Sequence, residues 1–570
     1  MCATVRFHQH LSAVPQELIG TSAPTGKTAL SICTSRERLR HERVSRSFAS
    51  SYPFFRSPFG PVRPSLKTSR DFCCWSVSTR DGNEGQTAHP GKAPFDGKGT
   101  LARILILVPE SVETEADSPF KDASWLEVLE HIGRRLNWSD ERLVTSVVPV
   151  HPSEGSYEAA RDGLERCDLA VGVGLHDSRF ADWIIAQLFK PAEGSGVSPP
   201  NAVFLDCSDR LGSVCCLGGR PINAAEVPAW RRAVASWKLP FDGLAEALEV
   251  WSLVKQLWYR HSSEDLVYAL LVLVNKYVVE VPLVSGQLKE KTDLRALMCM
   301  MGNCREEVFG CLNDPECKAG LDCLESCALN DQVCSYRCIV SHESPLLEAF
   351  SLCILQKHNC LGNSAEIPMR PKVDAMTHFR GKPLTWEVAE QLFIGWLGNQ
   401  PSSWRVVAGK NPAYDYFPCQ YQLFYPGKAK GSMWYEPVFK VTKYDGTEVW
   451  RRRKYRMRRA EAPGYYHFSV LDNGVISKEY WRIVDVDDGL EWGLFYYSGA
   501  ASVVGQTYQG AVFVTRDGKW PDDRHLPRIE ASLGAAGIKM WELYGVDQSC
   551  CDDTAAPLAI DDMRPFDSLV

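Results

Sequence analysis

The chain has 570 residues, enough for two to four domains at roughly 150 residues each. Hydrophobic residues make up 45% and charged residues 23%, which excludes wholesale disorder. The net charge of −7 is uneven: residues 1–70 carry nine Arg and two Lys against three Glu, which is +8 and leaves −15 on the rest, so a general nucleic-acid binder is excluded.

Residues 1–75 read as a transit peptide. The first 70 hold eleven Ser and six Thr, with Glu17, Glu37 and Glu42 as the only acids, and Arg-rich, Ser-rich, acid-poor composition marks an organellar address. A disordered basic tail is the alternative. A lumenal destination would need a second apolar signal. The only candidate, Leu101 to Pro109, reads better as a strand. Residues 76–99 read as a linker. No run of about 18 apolar residues follows, so a transmembrane helix is not expected.

Residues 100–288 read as an α/β domain. Short apolar runs at Leu101–Val108, Leu143–Val150, Leu169–Val173 and Ala202–Leu205 alternate with helical patterns at Trp125–Ile132 and Phe180–Phe189. That alternation predicts a mostly parallel sheet covered on both faces. The pattern turns helical from Trp230 to Tyr277. Gly172-Val-Gly174 follows the third strand, but Asp177 breaks the full G-x-G-x-x-G, so no nucleotide is expected. His176 and Asp177 read as a solvated turn.

Residues 295–365 read as a disulfide-rich helical module, with Cys299, Cys304, Cys311, Cys317, Cys323, Cys327, Cys334, Cys338, Cys353 and Cys360. Such density marks a unit too small to bury enough core without cross-links. A spacing of four puts Cys323 and Cys327 on one helical face, and Cys334 and Cys338 on another. Folding the intervening residues into a hairpin predicts bonds Cys323–Cys338 and Cys327–Cys334. The same reasoning predicts Cys299–Cys317 enclosing Cys304–Cys311, with Cys353–Cys360 closing a short loop. Zinc is the rival, with His342 and His358 as further ligands. The C-x2-C knuckle is missing, however, and no metal is expected.

Residues 366–551 read as a closed antiparallel barrel with a C-terminal helix, followed by a tail, 552–570. Eight strand-like runs occur: Trp404–Ala408, Cys419–Tyr425, Ser432–Thr442, Thr447–Met457, Tyr465–Val470, Val475–Val484, Glu491–Tyr497 and Tyr508–Thr515. Turn signals such as Asp445-Gly446 and Asp472-Asn473-Gly474 separate them. Eight up-and-down strands leave room for one small ligand; an open sandwich is the alternative. Pro527–Leu543 reads as a helix, pinned by a Cys419–Cys550 bond that leaves Cys551 odd.

The cysteine module followed by this barrel resembles the violaxanthin de-epoxidase family, over about residues 295–551. All ten module cysteines, Cys419 and a partner at Cys550 match in order and spacing. So do Asn411-Pro-Ala-Tyr-Asp-Tyr-Phe-Pro-Cys-Gln420, Phe495-Tyr-Tyr-Ser-Gly499 and Gly510-Ala-Val-Phe-Val-Thr-Arg516. The family's Glu-rich tail is missing and the α/β segment stands at the other end, as in its related branch. The resemblance implies an eight-stranded lipocalin-like barrel and reduction of xanthophyll epoxides, with ascorbate as co-substrate.

Opening an epoxide needs a proton donor, and a carboxyl with a raised pKa suits that task. The resemblance implies Glu479 for that role; it stands two residues before Trp481, where the family has Asp. It also implies Gln420 and Tyr497 as positioning groups, and Trp481, Gln422, Tyr496 and Val514 as substrate-binding positions. Gln422 and Tyr425 stand where the family has histidines, and Val514 where it has Tyr. Ser402-Ser-Trp404 stands where a lipocalin's first strand has Gly-x-Trp.

Trp450-Arg-Arg-Arg-Lys-Tyr-Arg-Met-Arg-Arg459 carries seven basic residues in ten. As a strand it places Arg452, Lys454, Arg456 and Arg458 on one face, and Arg451, Arg453, Arg459, Tyr455 and Met457 on the other. It reads as a solvated hairpin, with anion binding, to ascorbate or acidic thylakoid lipid heads, as the alternative. Two functions follow from the whole: an ascorbate-dependent de-epoxidase of the chloroplast, peripheral to the thylakoid membrane and lumenal given the disulfides; or a non-catalytic binder of a carotenoid or related lipid.

Overall fold

The computed structural model describes residues 101–570 apart from 111–119, 121–122, 152–153, 189–198, 225–242, 289–293, 550 and 562. The transit-peptide and linker readings lie outside the described residues.

The N-terminal part is an α/β domain. Strands β1 (Ala102–Pro109), β2 (Leu143–Val150), β3 (Leu169–Val173) and β4 (Asn201–Leu205) alternate with helices α1 (Trp125–Ser139), α2 (Glu154–Arg166) and α3 (Ser178–Leu188). The strands are parallel in the order β2-β1-β3-β4. All five residues of β3 are buried, as a strand covered on both faces requires. One face packs under α1, α4 (Gly243–Trp258) and α5 (Ser263–Tyr277), the other under α3. A hairpin of β5 (Val214–Leu217) and β6 (Arg220–Asn223) extends the sheet. Its signal was Gly218-Gly219, whose φ values of +61° and +70° suit a two-residue turn.

The cysteine module is helical: α6 (Leu294–Asn303), α7 (Arg305–Asn313), α8 (Pro315–Ser326), α9 (Gln332–Ser341) and α10 (Pro345–Ser351). Asp314 and Asp331 cap α8 and α9 by accepting from the Cys317 and Cys334 amides, and Pro315 opens α8. Cys323–Cys338 and Cys327–Cys334 form as the hairpin of α8 and α9 predicts. The other module pairings differ. Cys299 bonds Cys360 and Cys304 bonds Cys353, while Cys311–Cys317 spans the α7–α8 turn. The reason is tertiary: the chain after α10 continues through Leu352–Lys357 and packs back on Cys304, Val308 and Met300, so cysteines 49 and 61 residues apart meet. His358 lies near Cys304 and Cys353, but those sulfurs are joined to each other and offer no thiolate.

The C-terminal part is a closed eight-stranded antiparallel barrel. Its strands are β7 (Trp404–Gly409), β8 (Tyr421–Pro426), β9 (Met433–Thr442), β10 (Glu448–Arg452) with β11 (Tyr455–Arg459), β12 (Tyr465–Asp472), β13 (Val475–Val486), β14 (Trp492–Ala501) and β15 (Gln506–Thr515). Each pairs with the next, with β10 and β11 together forming one stave beside β9, and β15–β7 and β7–β8 close the ring. Helix α11 (Trp386–Ile394) closes one end: Phe393 lies 4.8 Å from both Phe424 and Phe495. Trp404 is fully buried there, and its Nε1 donates to the Leu392 and Phe393 carbonyls at 3.1 Å. A Cβ on Gly395 would come within 2.5 Å of that indole, so this position takes no side chain.

Three expectations in this region are corrected. The C-terminal helix α12 spans Leu526–Ala535 only, because Gly537 turns the chain at φ +69°. Cys419 bonds Cys551 rather than Cys550; Cys550 lies outside the described residues. The backbone Cys419 N–H already donates to the Asp547 carbonyl at 3.0 Å, which lays the following turn so that Cys551 meets the sulfur. The basic stretch is not a solvated hairpin. Arg451 and Arg453 pair with Glu343 of the module, Arg452 pairs with Glu436, and Arg459 meets Glu390 at 2.7 Å. Of the run, only Arg456 and Arg458 are exposed and outside any ion pair among the described residues. The tail folds back over β8. There Asp553 pairs with Arg405 and bonds Tyr421, and Arg452 donates to the Pro557 and Ala559 carbonyls at 2.7 and 2.8 Å.

Candidate functional site

Inside the barrel a small cavity is lined by four tyrosines, two carboxyl groups and two glutamines among its residues. Strand alternation determines which residues reach it: Gln420 and Gln422 point in while Tyr421 points out.

Two cross-strand rows build the wall. Phe468, Glu479, Gly499 and Tyr508 are successive partners across β12 to β15, as are Tyr466, Trp481, Tyr497 and Gly510. Tyr497-Ser-Gly499 on β14 and Tyr508-Gln-Gly510 on β15 run antiparallel, so each tyrosine lies over the other strand's glycine. A Cβ on Gly510 would stand 2.4 Å from the Tyr497 ring, and one on Gly499 2.5 Å from the Tyr508 ring. Trp481 is stacked between Phe468 at 4.6 Å and Tyr497 at 4.9 Å. These offset stacks fix the ring positions.

Glu479 is buried at 4% exposure. Its Oε2 accepts from Trp481 Nε1 at 2.6 Å and its Oε1 from the Tyr508 hydroxyl at 2.8 Å. Burial raises its pKa, opposed by those two hydrogen bonds. An indole nitrogen only donates, so Oε2 stays an acceptor; a proton on Glu479 sits on Oε1, where the Tyr508 oxygen can receive it.

A second carboxyl was missed. Asp415 is 1% exposed, lines the same cavity, and is pushed up by burial to about 8, against the lowering effect of the Asn411 amide that donates to its Oδ2 at 2.7 Å. It sits at the end of a single turn, Pro412–Asp415, capped by the Asn411 side chain. Gly409 makes room for it, since a Cβ there would lie 2.3 Å from the carboxylate. The available signal was an Asp inside an aromatic run, Tyr414-Asp-Tyr-Phe417, just before Cys419-Gln420. Tyr414, Tyr435 and Tyr455 were missed with it. Tyr414 and Tyr455 share a hydrogen bond, and the Tyr435 hydroxyl donates to Gln422 Oε1 at 2.6 Å.

Of the residues proposed from sequence, Glu479, Trp481, Tyr497, Gln420 and Gln422 meet at the cavity. The Gln420 amide nitrogen donates to the Tyr414 and Phe417 carbonyls at 2.7 and 3.0 Å. Both its N–H groups are thus engaged, and only its oxygen remains to accept. Tyr496 and Val514 do not line the cavity. Tyr496 points out of the barrel, into a cluster with Trp492 and Ile529 of α12 and under the Arg482 guanidinium, because it alternates with the inward Tyr497. Val514 packs in the core beside Trp404 and Val406, and Val512 lines the cavity in its place.

The module covers this region. Tyr336 of α9 lies 5.5 Å from Tyr414, 5.6 Å from Phe417 and 5.9 Å from Phe439. The bridges at Cys334 and Cys338 flank Tyr336 in sequence and fix the helix that presents it.

A closed eight-stranded barrel with an end helix, a buried first-strand tryptophan and an internal cavity defines a lipocalin-type protein, here braced by a disulfide module. Residues 296–548 match the family of the VDE lipocalin domain. Violaxanthin de-epoxidase, chloroplastic, of Nicotiana tabacum is 22% identical over 266 residues, covering 45% of this chain and 51% of that protein. The Arabidopsis thaliana protein of the same name is 22% identical over 273 residues, covering 46% and 54%. Among solved structures, lobster apocrustacyanin A1 aligns with 33% of this chain and 96% of its own at 12% identity and a TM-score of 0.21. Through residues 296–548 the chain is similar to the violaxanthin de-epoxidase family. It spans about half the length of the curated relatives it matches.

Proposed function

We propose that this protein reduces xanthophyll epoxides with ascorbate in the plastid. The observation that carries the reading is Glu479: a buried carboxyl, its pKa raised by burial, lining an aromatic cavity with a hydroxyl at its protonated oxygen. In the reaction, the acid protonates the epoxide oxygen as one C–O bond breaks. Ascorbate supplies two electrons and two protons. The second C–O bond then breaks, and the products are the alkene, water and dehydroascorbate. Glu479 regains its proton from the same pool. A carboxyl whose pKa is raised by burial is suited to both halves of that cycle. The stacked rings of Trp481 and Tyr497 present aromatic edges to a cyclic end group, and the Gln420 oxygen accepts from a hydroxyl of the pigment or of ascorbate. Six disulfides suit an oxidising compartment, which favours the lumen side of the thylakoid. The chloroplastic names of the relatives support the plastid.

The second reading is a carotenoid- or lipid-binding barrel without turnover. The observation that favours it is that both Glu479 oxygens are already engaged, by Trp481 and Tyr508.

The deciding experiment incubates the oxidised protein with violaxanthin and ascorbate between pH 5 and 7.5 and separates the pigments by chromatography. De-epoxidised pigment from the wild type, its loss in Glu479→Gln with pigment binding kept, and its return in Glu479→Asp support catalysis. Pigment that binds and stays unconverted at every pH supports the second reading instead.

A further inference from the structure

The first turn of α5 is where the α/β domain, the module and the barrel meet. Ser263 Oγ accepts from Arg135 of α1 at 2.9 Å. Asp265 accepts from Arg260 at 2.7 and 2.8 Å and from Asn330 of the module at 2.9 Å. Glu264, between them, meets Arg135 at 2.6 Å and Lys410 of the barrel at 2.6 Å.

Lys410 is 3% exposed, and its ammonium also stands 3.9 Å from Glu542. Glu542 in turn meets His131 at 2.8 Å and Arg135 at 3.0 Å. Two cations and two carboxylates therefore balance, and burial lowers the pKa of His131 toward its neutral form. Burial alone would raise both carboxyls, but Arg135 and Lys410 outweigh it and hold them low. No charge in the group is left without a partner, which is the condition for holding such groups in a dry contact.

Lys410 is the residue just before the segment that enters the cavity. Its backbone N–H donates to the Ala511 carbonyl at 3.0 Å. The next residue, Asn411, donates its amide to Asp415 and hydrogen-bonds the Tyr497 side chain. Whatever fixes Lys410 fixes the root of the turn that delivers Tyr414 and Asp415.

We propose that the α/β domain is a working part of the barrel's site: Glu264, acting through Lys410, is a positioning residue for the Asn411–Asp415 segment. The alternative is that the ion group only docks one domain on the other. A second contact between the same two parts separates these. Lys539 meets Glu127 of α1 at 3.1 Å, both side chains part-exposed. The catalytic consequence rests on the reading of the cavity as a de-epoxidase site; the positioning itself does not.

The test follows Asp415 directly. The other titratable groups lining its cavity are Tyr414, Tyr435, Tyr455, Tyr497 and Glu479. In pH-difference infrared spectra of the full chain, the C=O band of protonated Asp415 is identified by its loss in Asp415→Asn. Glu264→Gln should lower the midpoint of that band by one pH unit or more, because a loosened segment admits water to the carboxyl. Glu264→Asp, which keeps the charge, should lower it less, and Glu127→Gln should leave it in place. An unchanged midpoint in folded Glu264→Gln overturns the proposal, as does an equal shift in Glu127→Gln. If Glu264→Gln does not fold, an unchanged midpoint in Glu264→Asp overturns it. No pigment is involved, so absence of de-epoxidation would remove the proposed function and leave this result standing. Where turnover is present, Glu264→Gln should lower kcat and displace the pH profile, while Glu127→Gln changes neither.

Discussion

Replacing Asp415 by Asn should make the protein more stable at neutral pH and nearly neutral in effect under acid conditions. The carboxyl is held at about 8 in the folded protein against an ordinary 3.8, burial being the cause. A group whose folded pKa is raised binds its proton more tightly when folded, so its contribution is fully present below 3.8 and is lost as pH rises towards 8. Each pH unit in that window is worth about 1.4 kcal/mol. Between pH 4.5 and 7.5 the wild type should therefore lose about 4 kcal/mol relative to Asp415→Asn. Solvent screening takes little from this, since the residue is 1% exposed. The Asn carbonyl keeps the acceptor for the Asn411 amide, now 2.7 Å from Oδ2, so shape and hydrogen bond are conserved while the charge is not. Urea unfolding followed by tryptophan fluorescence, on both proteins at both pH values, measures the double difference. Other titrating groups are common to the two proteins and cancel. A difference of less than about 1 kcal/mol between the two pH values would refute the reasoning, because Asp415 would then be solvated and ionised like a surface carboxylate.

Two further predictions concern packing and bridges. Gly510→Ala drives a methyl into the Tyr497 ring, 2.4 Å away; overpacking of this kind costs about 1–3 kcal/mol, so the melting temperature should fall by roughly 2–12 °C, with a changed near-ultraviolet dichroism of the Tyr497–Trp481 stack. The Cys304–Cys353 and Cys327–Cys334 bridges close loops of 49 and 7 residues respectively, and the chain-entropy relation gives losses of about 4 and about 2 kcal/mol when each pair is replaced by serines; denaturant unfolding that ranks them the other way would show that strain or residual structure, not loop closure, governs these bonds.

Much of the architecture is written in local pattern. The apolar runs of β1, β3 and β4 and the turn signals between barrel strands locate the sheet and the barrel, because a two-residue period and a Gly- or Asn-containing turn depend only on neighbours. Cys323, Cys327, Cys334 and Cys338 paired as spacing implied, since a helical hairpin is itself local. Glu479 was singled out by resemblance to the family, which has an Asp two residues before a Trp, and the strand sets it on one face with Trp481. The reciprocal Tyr-x-Gly pairs of β14 and β15 were also in the sequence, but they acquire meaning only when the two strands are set in register.

Contacts between distant segments were decided by the tertiary structure. Cys299 and Cys304 reach Cys360 and Cys353 because the chain returns through Leu352–Lys357, and no spacing rule encodes a return. Seven basic residues in ten looked like a solvated surface until Glu343, Glu436 and Glu390, from elsewhere in the chain, were brought against them. Asp415 is an ordinary loop aspartate in sequence. Its high pKa comes from desolvation, which depends on what surrounds a group in space. The sequence determined which residues alternate, turn and cap, because those preferences act over a few residues. Which charges are neutralised and which carboxyls lose their water depends on surfaces that meet only after the whole chain has closed.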